Sequence, residues 1–408
     1  MPKKTLERAL SVILNHALRA ESSFYRNLFA ACTVPTHVTL NDVERLPFVT
    51  KELLVAAPFS QRLFLPLTEA DSVRVTSGTS GKGVLLFPRS GHVKRPWLSE
   101  RCSKVFSYYY PYSGMDRSVR QHGVGHMGFD LEHPAATVRL ALQYEPDGIM
   151  GPPAAMVAFG QYLEEKARAR IIYIQLFGSR PSRAQFRALH TLYPRARISW
   201  DYASTEGNGI SALPCETLEK LEQNMMHPCD SHFLEIIEPK TGTRITELDT
   251  PGELVLTTLF ENNPLPMIRY RTGDLVQWVK TPCSCGAEAT FEMLGRVDFD
   301  RAYLPKGIVL ASELEHTLER FEHDIADDFE LHIYHKNNSI SLELLVRPQR
   351  QIEYAAIAEH LLSLRISPTL RLRDLSAEGL LKSVTCVSMP KEKVLGRRVT
   401  RIVPHEEI

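Results

Sequence analysis

Residues 171–178, IIYIQLFG, form a nearly continuous apolar run closed by a glycine. So short and so apolar a run, ended by a turn residue, predicts a strand covered on both faces, as in a parallel sheet. The next stretch, SRAQFRALHTLYP (182–194), has helical spacing, with Ser182 placed to cap its start and Pro194 to stop it. RISWDYAS (197–204) then returns to strand character and leads into a turn. Strand, helix and strand in this order imply an α/β domain, and similar alternation runs from about residue 72 to 200. Residues 1–70 read as helices and connectors, beginning with an amphipathic helix in MPKKTLERALSVILNHALRAE. The stretch 233–259 changes character. Its turn signals at Lys240-Thr241-Gly242 and Pro251-Gly252 predict antiparallel β structure. Beyond Gly295-Arg296 comes a shorter α+β segment. There SELEHTLERFE (312–322) predicts a helix with a Ser312/Glu315 capping box, and ISLELLVRP (340–348) predicts a strand. The expected fold class is therefore α/β. A large N-terminal domain (1–298) holds α/β layers plus an antiparallel β subdomain, and a small, mobile α+β domain follows (299–408).

Composition excludes some partners. Lys+Arg and Asp+Glu both number 48, so the net charge is zero and no nucleic-acid partner is expected. No stretch approaches the roughly 20 apolar residues of a membrane span, so no membrane association is expected. The N-terminal apolar run is broken by Asn15 and His16, unlike a signal peptide. Seven cysteines, an odd number in a long chain, suit a reducing, cytoplasmic setting.

Four islands can carry chemistry. The first is Val75-Thr76-Ser77-Gly78-Thr79-Ser80-Gly81-Lys82-Gly83. Its glycines let backbone N–H groups turn toward a ligand, and its hydroxyls and lysine add donors and charge, so it can cradle phosphate. It is not a Walker A loop, because only two residues separate Gly78 from Gly81 and Gly83 follows Lys82. Taken alone, such a run reads first as a solvated polar loop. The second is Asp201-Tyr202-Ala203-Ser204-Thr205-Glu206-Gly207 at a strand end, where α/β sheets bind ligands. A tyrosine there can stack on a base, a threonine can bond a phosphate, and a glutamate can hold Mg²⁺. The bland alternative is an ordinary helix cap. The third is Arg269-Tyr270-Arg271-Thr272-Gly273-Asp274-Leu275, whose aspartate can accept two ribose hydroxyls or simply belong to a charged hairpin. The fourth is Gly295-Arg296-Val297-Asp298, at the expected domain boundary. HGVGHMG (122–128) also spells a glycine fingerprint, but FDLEHP follows where a helix should begin. A structural glycine turn is expected there rather than a dinucleotide loop.

In this order and at these intervals, the islands resemble the adenylate-forming superfamily of acyl-CoA synthetases, adenylation domains and luciferases. SSFYRNLF (22–29), LPFVTKELL (46–54), DSHFLEIIEPKTG (230–242), PGELVLTTL (251–259), PMIRYRTGDL (266–275) and CSCG (283–286) before GRVD are most similar to its phenylacetate–CoA ligase branch. The resemblance covers nearly the whole chain. It implies that a small carboxylic acid, aromatic or otherwise hydrophobic, attacks the α-phosphate of ATP to give an acyl-adenylate and pyrophosphate. A thiol then displaces AMP. Thr76, Ser77, Gly78, Thr79, Ser80, Gly81 and Lys82 would hold the β- and γ-phosphates. Tyr202, within Asp201–Ser204, would stack on adenine, Thr205 contact phosphate and Glu206 bind Mg²⁺. Asp274, helped by Arg296, would take the ribose hydroxyls, and the Gly178-Ser179-Arg180-Pro181 turn would pack on adenine. Many relatives carry an acidic residue at Ser179, so the backbone is the expected contact there. His126 falls where relatives line the acyl pocket, and Asp298 falls at the hinge about which the small domain rotates.

The resemblance also implies a closed structural Zn²⁺ site built from Cys215, His227, Cys283 and Cys285, with Cys229 on a variable position. A CxC pair with a distant Cys and His suits tetrahedral zinc, and the alternative is free cysteines packed as small apolar side chains. Cys102 and Cys386 read as core. The tail departs from the pattern. In MPKEKVLGRRVTRIV (389–403) an arginine follows Gly396 where relatives place the lysine that reaches the substrate carboxylate. Lys391, Lys393 and Arg397 are the candidate cations. The acceptor stays open between coenzyme A, the pantetheine thiol of an acyl carrier protein, and an amine. A non-catalytic nucleotide- or acyl-adenylate-binding homologue is the alternative from another class.

Overall fold

In a computed structural model of the chain, β1 (Ser72–Val75) and β2 (Leu86–Arg89) form an antiparallel pair. After them the chain builds an all-parallel sheet. Its strands are β3 (Lys104–Tyr108), β4 (Gly125–Phe129), β5 (Gly148–Gly151), β6 (Tyr173–Leu176) and β7 (Arg197–Trp200), in the order β4-β3-β5-β6-β7. The structure describes residues 2–19, 23–70, 72–75, 86–89, 98–108, 124–129, 133–221, 223–260, 263–298, 300–304, 306–336, 339–367, 369–390 and 400–405. The glycine/hydroxyl loop 76–83 and the cations Lys391, Lys393 and Arg397 lie outside them.

The expected strand at 171–178 is β6, all four of whose residues are buried. Gly178 just beyond it has φ +83°, a conformation that glycine adopts without penalty. The crossover helix Arg183–Leu192 starts as expected at Ser182, whose Oγ accepts the Gln185 N–H (3.1 Å) while Gln185 Oε1 accepts the Ser182 N–H (3.0 Å). The N-terminal helix Lys3–Arg19 buries Leu10, Ile13, Leu14 and Ala17, one stripe at helical spacing. Residues 125–129 are not the expected glycine turn. They are β4, the edge strand, paired with β3 from Lys104↔Gly125 to Tyr108↔Phe129. A Cβ on Gly125 would lie 2.8 Å from the Tyr144 hydroxyl, so glycine there marks a close approach.

The antiparallel structure expected at 233–259 is part of a seven-stranded sheet. It contains β8 (Tyr202–Ser204), β9 (Gly209–Leu213), β10 (Met225–Pro228), β11 (His232–Ile237), β12 (Gly252–Thr258), β13 (Tyr270–Val279) and β14 (Thr290–Arg296), in the order β11-β12-β13-β14-β10-β9-β8. The Lys240–Gly242 turn closes as its sequence demands. Glu238 Oε2 accepts the N–H of Lys240 (2.7 Å) and of Thr241 (2.6 Å), and Gly242 adopts φ +74°.

The C-terminal segment adds the hairpin β15 (Arg301–Leu304) and β16 (Gly307–Leu310). A four-stranded sheet follows, with β17 (Ile325–Lys336), β18 (Ser339–Pro348), β19 (Leu381–Ser388) and β20 (Thr400–His405) in the order β19-β18-β17-β20. Leu331, Ile333, Leu342 and Leu344 of this sheet share one core with Leu314, Leu318, Ile357, Leu361, Leu372 and Leu375 of the helices Ala311–Leu318, Tyr354–Leu361 and Leu372–Ala377. The capping box expected at Ser312 does not form. β16 runs directly into the helix, so Leu310 occupies the cap position, and Asp300 O accepts the first N–H, from Ala311 (2.8 Å). Tertiary context has overridden a local signal.

The chain divides into two compact units. One comprises Met1–Ser179, Leu189–Thr272 and Gln277–Glu292; the other comprises Arg180–Ala188, Gly273–Val276 and Met293–Ile408. No helix among the described residues is long and apolar enough to cross a membrane.

Candidate active site and a cysteine–histidine cluster

β6 and β7 are parallel neighbours, so the segments after them emerge at the same sheet edge. One is the Gly178-Ser179 turn. The other is Asp201, which enters β8 and the second island. Strand C-termini of this kind are the usual ligand edge of an α/β sheet. Asp201 and Tyr202 are buried, and the Tyr202 ring meets Phe291 edge-on at 6.3 Å between centroids. Ala203 is exposed, and Ser204, Thr205 and Glu206 are half-buried. The loop after β8 is tightly wound. Ser204 Oγ accepts the Gly207 N–H (2.9 Å), and the Asn208 N–H reaches Thr205 O (3.2 Å). A Cβ on Gly207 would lie 2.8 Å from Ser204 Oγ and 3.0 Å from Ser211 Oγ, so the tight seat accepts only glycine comfortably. The Tyr270 hydroxyl donates to Glu206 Oε1 at 3.4 Å and steadies the carboxylate predicted to face a cation.

The structure also brings Asp274 and Arg296 together. Arg296 Nη1 donates to Asp274 Oδ1 in a half-buried pair. Gly273, at φ +72°, leaves room for the guanidinium, since a Cβ there would lie 3.0 Å from it. The Arg296 backbone N–H donates to Asp300 Oδ2 (2.6 Å), and a Cβ on Gly295 would come within 2.5 Å of the same carboxylate oxygen. Gly295 and Arg296 are thus packed against Asp300, and Asp298 lies in the turn that follows β14. Arg180 is paired with Glu315, and both side chains are largely covered. Pro181 is buried. His126, on β4, places Nε2 2.6 Å from Ser107 Oγ.

The four predicted soft ligands form one cluster. Cys215 caps the helix Glu216–Lys220, His227 lies on β10, and Cys283 and Cys285 lie in the loop between β13 and β14. Their donor atoms all lie within 4.8 Å of one another. Cys283 Sγ is 3.1 Å from Cys285 Sγ, and both sulfurs are 3.3 Å from His227 Nε2. Zn–S and Zn–N bonds of about 2.3 and 2.0 Å put tetrahedral edges at roughly 3.6–3.8 Å, so the spacing fits one ion after a slight expansion. The histidine is oriented for it. Ala289 O, 2.9 Å away, can accept only from a protonated Nδ1, so Nε2 is the nitrogen aimed at the sulfurs and the one free to bind a metal. The thiols are uneven. Burial opposes ionisation of Cys215, yet the N–H groups of Leu218 and Thr217 and the side chain of His227 hold it below its ordinary value. The Cys283 thiol and the Ala287 N–H do the same for Cys285. The Cys285 N–H favours the Cys283 thiolate, but its thiol neighbours push Cys283 up to about 11. Ionising all three sulfurs side by side would need a cation, and the donor set is one that zinc accepts. Cys229 stands outside the cluster, pushed up to about 12 by burial and by Asp201 and Asp230. Cys102 and Cys386 are buried, as expected.

Motif reasoning assigned no role to the groups that hold these islands in place: His232, which reaches the Gly207 carbonyl, Tyr270, Asp300, and the buried Arg269–Glu235 pair. A histidine and a glutamate inside the otherwise apolar HFLEII stretch were the available signal.

No protein-family model matches the chain. The phenylacetate-coenzyme A ligase of Escherichia coli (strain K12) is 24% identical over 418 residues, covering 95% of this chain and 91% of that protein. The phenylacetate-coenzyme A ligase of Pseudomonas putida is 23% identical over 361 residues, covering 81% and 78%. Among solved structures, a 2-hydroxyisobutyryl-CoA ligase in the postadenylation state with R3-HIB-AMP superposes with a TM-score of 0.73 at 18% identity, covering 99% of this chain and 89% of the other. That likeness extends to the fold.

Proposed function

We propose that this chain, a member of the adenylate-forming superfamily on its phenylacetate–CoA ligase branch, is an AMP-forming acid–thiol ligase acting on a small carboxylic acid, aromatic or otherwise hydrophobic. The observation that carries this reading is likeness from end to end: the match spans 95% of the chain and 91% of a ligase. In the first step a carboxylate oxygen bonds to the α-phosphorus of ATP and pyrophosphate leaves. In the second a thiol, that of coenzyme A, attacks the acyl carbon and AMP leaves. Both steps bring anions together, so positioning and charge neutralisation supply most of the catalysis.

In this proposal the ribose hydroxyls donate to Asp274, which its contact with Arg296 keeps aimed. Tyr202 stacks on the adenine, against which the Gly178–Pro181 turn packs. Thr205 meets the phosphates, and Glu206, steadied by Tyr270, holds Mg²⁺, which supplies charge neutralisation at the phosphates. Residues Thr76–Lys82 steady the leaving pyrophosphate, His126 borders the acyl pocket, and one of Lys391, Lys393 and Arg397 faces the carboxylate. Asp298 is the hinge between domains 1–298 and 299–408. Cys215, His227, Cys283 and Cys285 hold a structural zinc ion that ties the helix start, β10 and the β13–β14 loop together.

The test is acid-dependent ATP–pyrophosphate exchange over a panel of carboxylic acids, followed by coenzyme A and analysis for a thioester. Exchange with an aromatic or small hydrophobic acid and a thioester product are expected. Exchange without a thioester would move the acceptor to a carrier protein or an amine. ATP binding without exchange for any acid would reduce the chain to a nucleotide-binding homologue.

A further inference from the structure

His232 begins β11 and is 6% exposed. Its Nε2 lies 2.8 Å from Gly207 O and its Nδ1 2.9 Å from Ser231 Oγ. A carbonyl only accepts, so Nε2 must carry the proton. In the neutral ring Nδ1 is then bare and accepts from the serine hydroxyl. Both contacts are satisfied by one neutral tautomer. Burial favours the same state and lowers the imidazole's pKa to about 4, outweighing the opposite pull of the Gly207 carbonyl. The ring is further fixed edge-on against Phe260, with 5.9 Å between centroids.

Gly207 is thereby held on both sides. Its N–H goes to Ser204 Oγ and its carbonyl to His232. The residues between Ser204 and Gly207 are Thr205 and Glu206. We propose that His232 is a positioning residue for the nucleotide-and-metal loop: its Nε2–H fixes the Gly207 peptide and so the direction in which Thr205 and Glu206 point. This rests on the ligase reading, in which those two side chains meet the phosphates and Mg²⁺. Tyr270 restrains the Glu206 carboxylate from β13 and His232 restrains the backbone from β11, so the loop is gripped by two strands of one sheet. Losing the buried donor leaves the carbonyl unpaired and frees the loop. A displacement of about 1 Å at a catalytic group is enough to lower turnover by around 100-fold.

The experiment compares wild type, His232→Leu and His232→Gln in ATP–pyrophosphate exchange as Mg²⁺ is varied, with melting curves alongside. Leucine keeps the bulk and loses the donor; glutamine keeps an N–H at similar reach. His232→Leu should lower the maximal rate by roughly 10- to 100-fold and raise the half-saturating Mg²⁺ concentration several-fold, while His232→Gln recovers most of both. A merely structural role would lower melting temperature without moving the Mg²⁺ dependence. That outcome, or a glutamine variant as impaired as the leucine variant, would overturn the proposal. If wild type shows no exchange with any acid, the ligase reading fails instead. His232 is then judged on calorimetric ATP binding by the same three proteins with and without Mg²⁺. A Mg²⁺-dependent gain in affinity that His232→Leu loses and His232→Gln keeps supports the role, and equal gains in all three reject it.

Discussion

Replacing Arg269 by methionine should be among the most destabilising single changes in this protein, and its cost should depend on pH. The Arg269 guanidinium grips both Glu235 oxygens (3.2 and 3.0 Å) and donates to the carbonyls of Glu44 (2.8 Å) and Leu46. It also lies 4.1 Å over the Phe48 ring, and the two charged side chains are only 3% and 0% exposed. Deleting one member of such a pair strands the other charge and costs about 3–5 kcal/mol, out of a total stability of ~5–15 kcal/mol. The melting temperature should fall by on the order of 10 °C. Burial already raises the Glu235 carboxyl above its ordinary value against the pull of Arg269, and without the arginine it rises further. The folded variant then keeps a proton that the unfolded chain releases. Its stability therefore falls as pH climbs from the ordinary glutamate range through the raised folded value. The variant's deficit should be smaller near pH 5 than near pH 8, and Glu235→Gln in the same background should recover much of it. Thermal and denaturant melts of the single and double variants across that range provide the measurement. A loss below about 1 kcal/mol at pH 7.5, or a penalty that ignores pH, would refute the view that a desolvated charge pair fastens residues 44–48 to the sheet.

Three further outcomes are expected. Protein purified without chelators should contain about one zinc ion per chain, and Cys285→Ser should lose it; metal-free wild type would dismiss the zinc. Asp274→Ala should weaken ATP binding roughly tenfold or more, read by calorimetry, with little change in melting temperature. Tyr25→Phe removes a buried hydroxyl that donates to Pro266 O (3.0 Å) and accepts from the Ile268 N–H (3.0 Å); denaturant melts should show a loss of ~1–3 kcal/mol.

The elements most legible in the sequence were those whose cause is local. The apolar run at 173–176, the Ser182 cap and the Lys240–Gly242 turn each depend on residues within a few positions, and each formed where expected. The Ser312 capping box and the glycine turn at 122–128 were local signals that neighbours overrode. β16 feeds straight into the helix in the first case, and pairing with β3 draws residues 125–129 into the sheet in the second. Motif order pointed to Asp274 and Arg296, residues 22 apart, but their contact exists only because β13 and β14 are neighbours in one sheet.

By itself, then, the sequence determined the fold class, most of the regular elements and the residue types of the proposed site, because periodicity, caps and motif spacing are written in consecutive residues. Tertiary structure alone decided what faces what. Cys215 and Cys285 are 70 positions apart and share a cluster with His227. Arg269 reaches back to Glu44 across 225 positions. His232 reaches Gly207 across 25 positions, and burial there lowers its pKa to about 4. Desolvation, tautomer choice and metal-ligand spacing depend on distances in space, which the order of residues constrains only after the chain has packed.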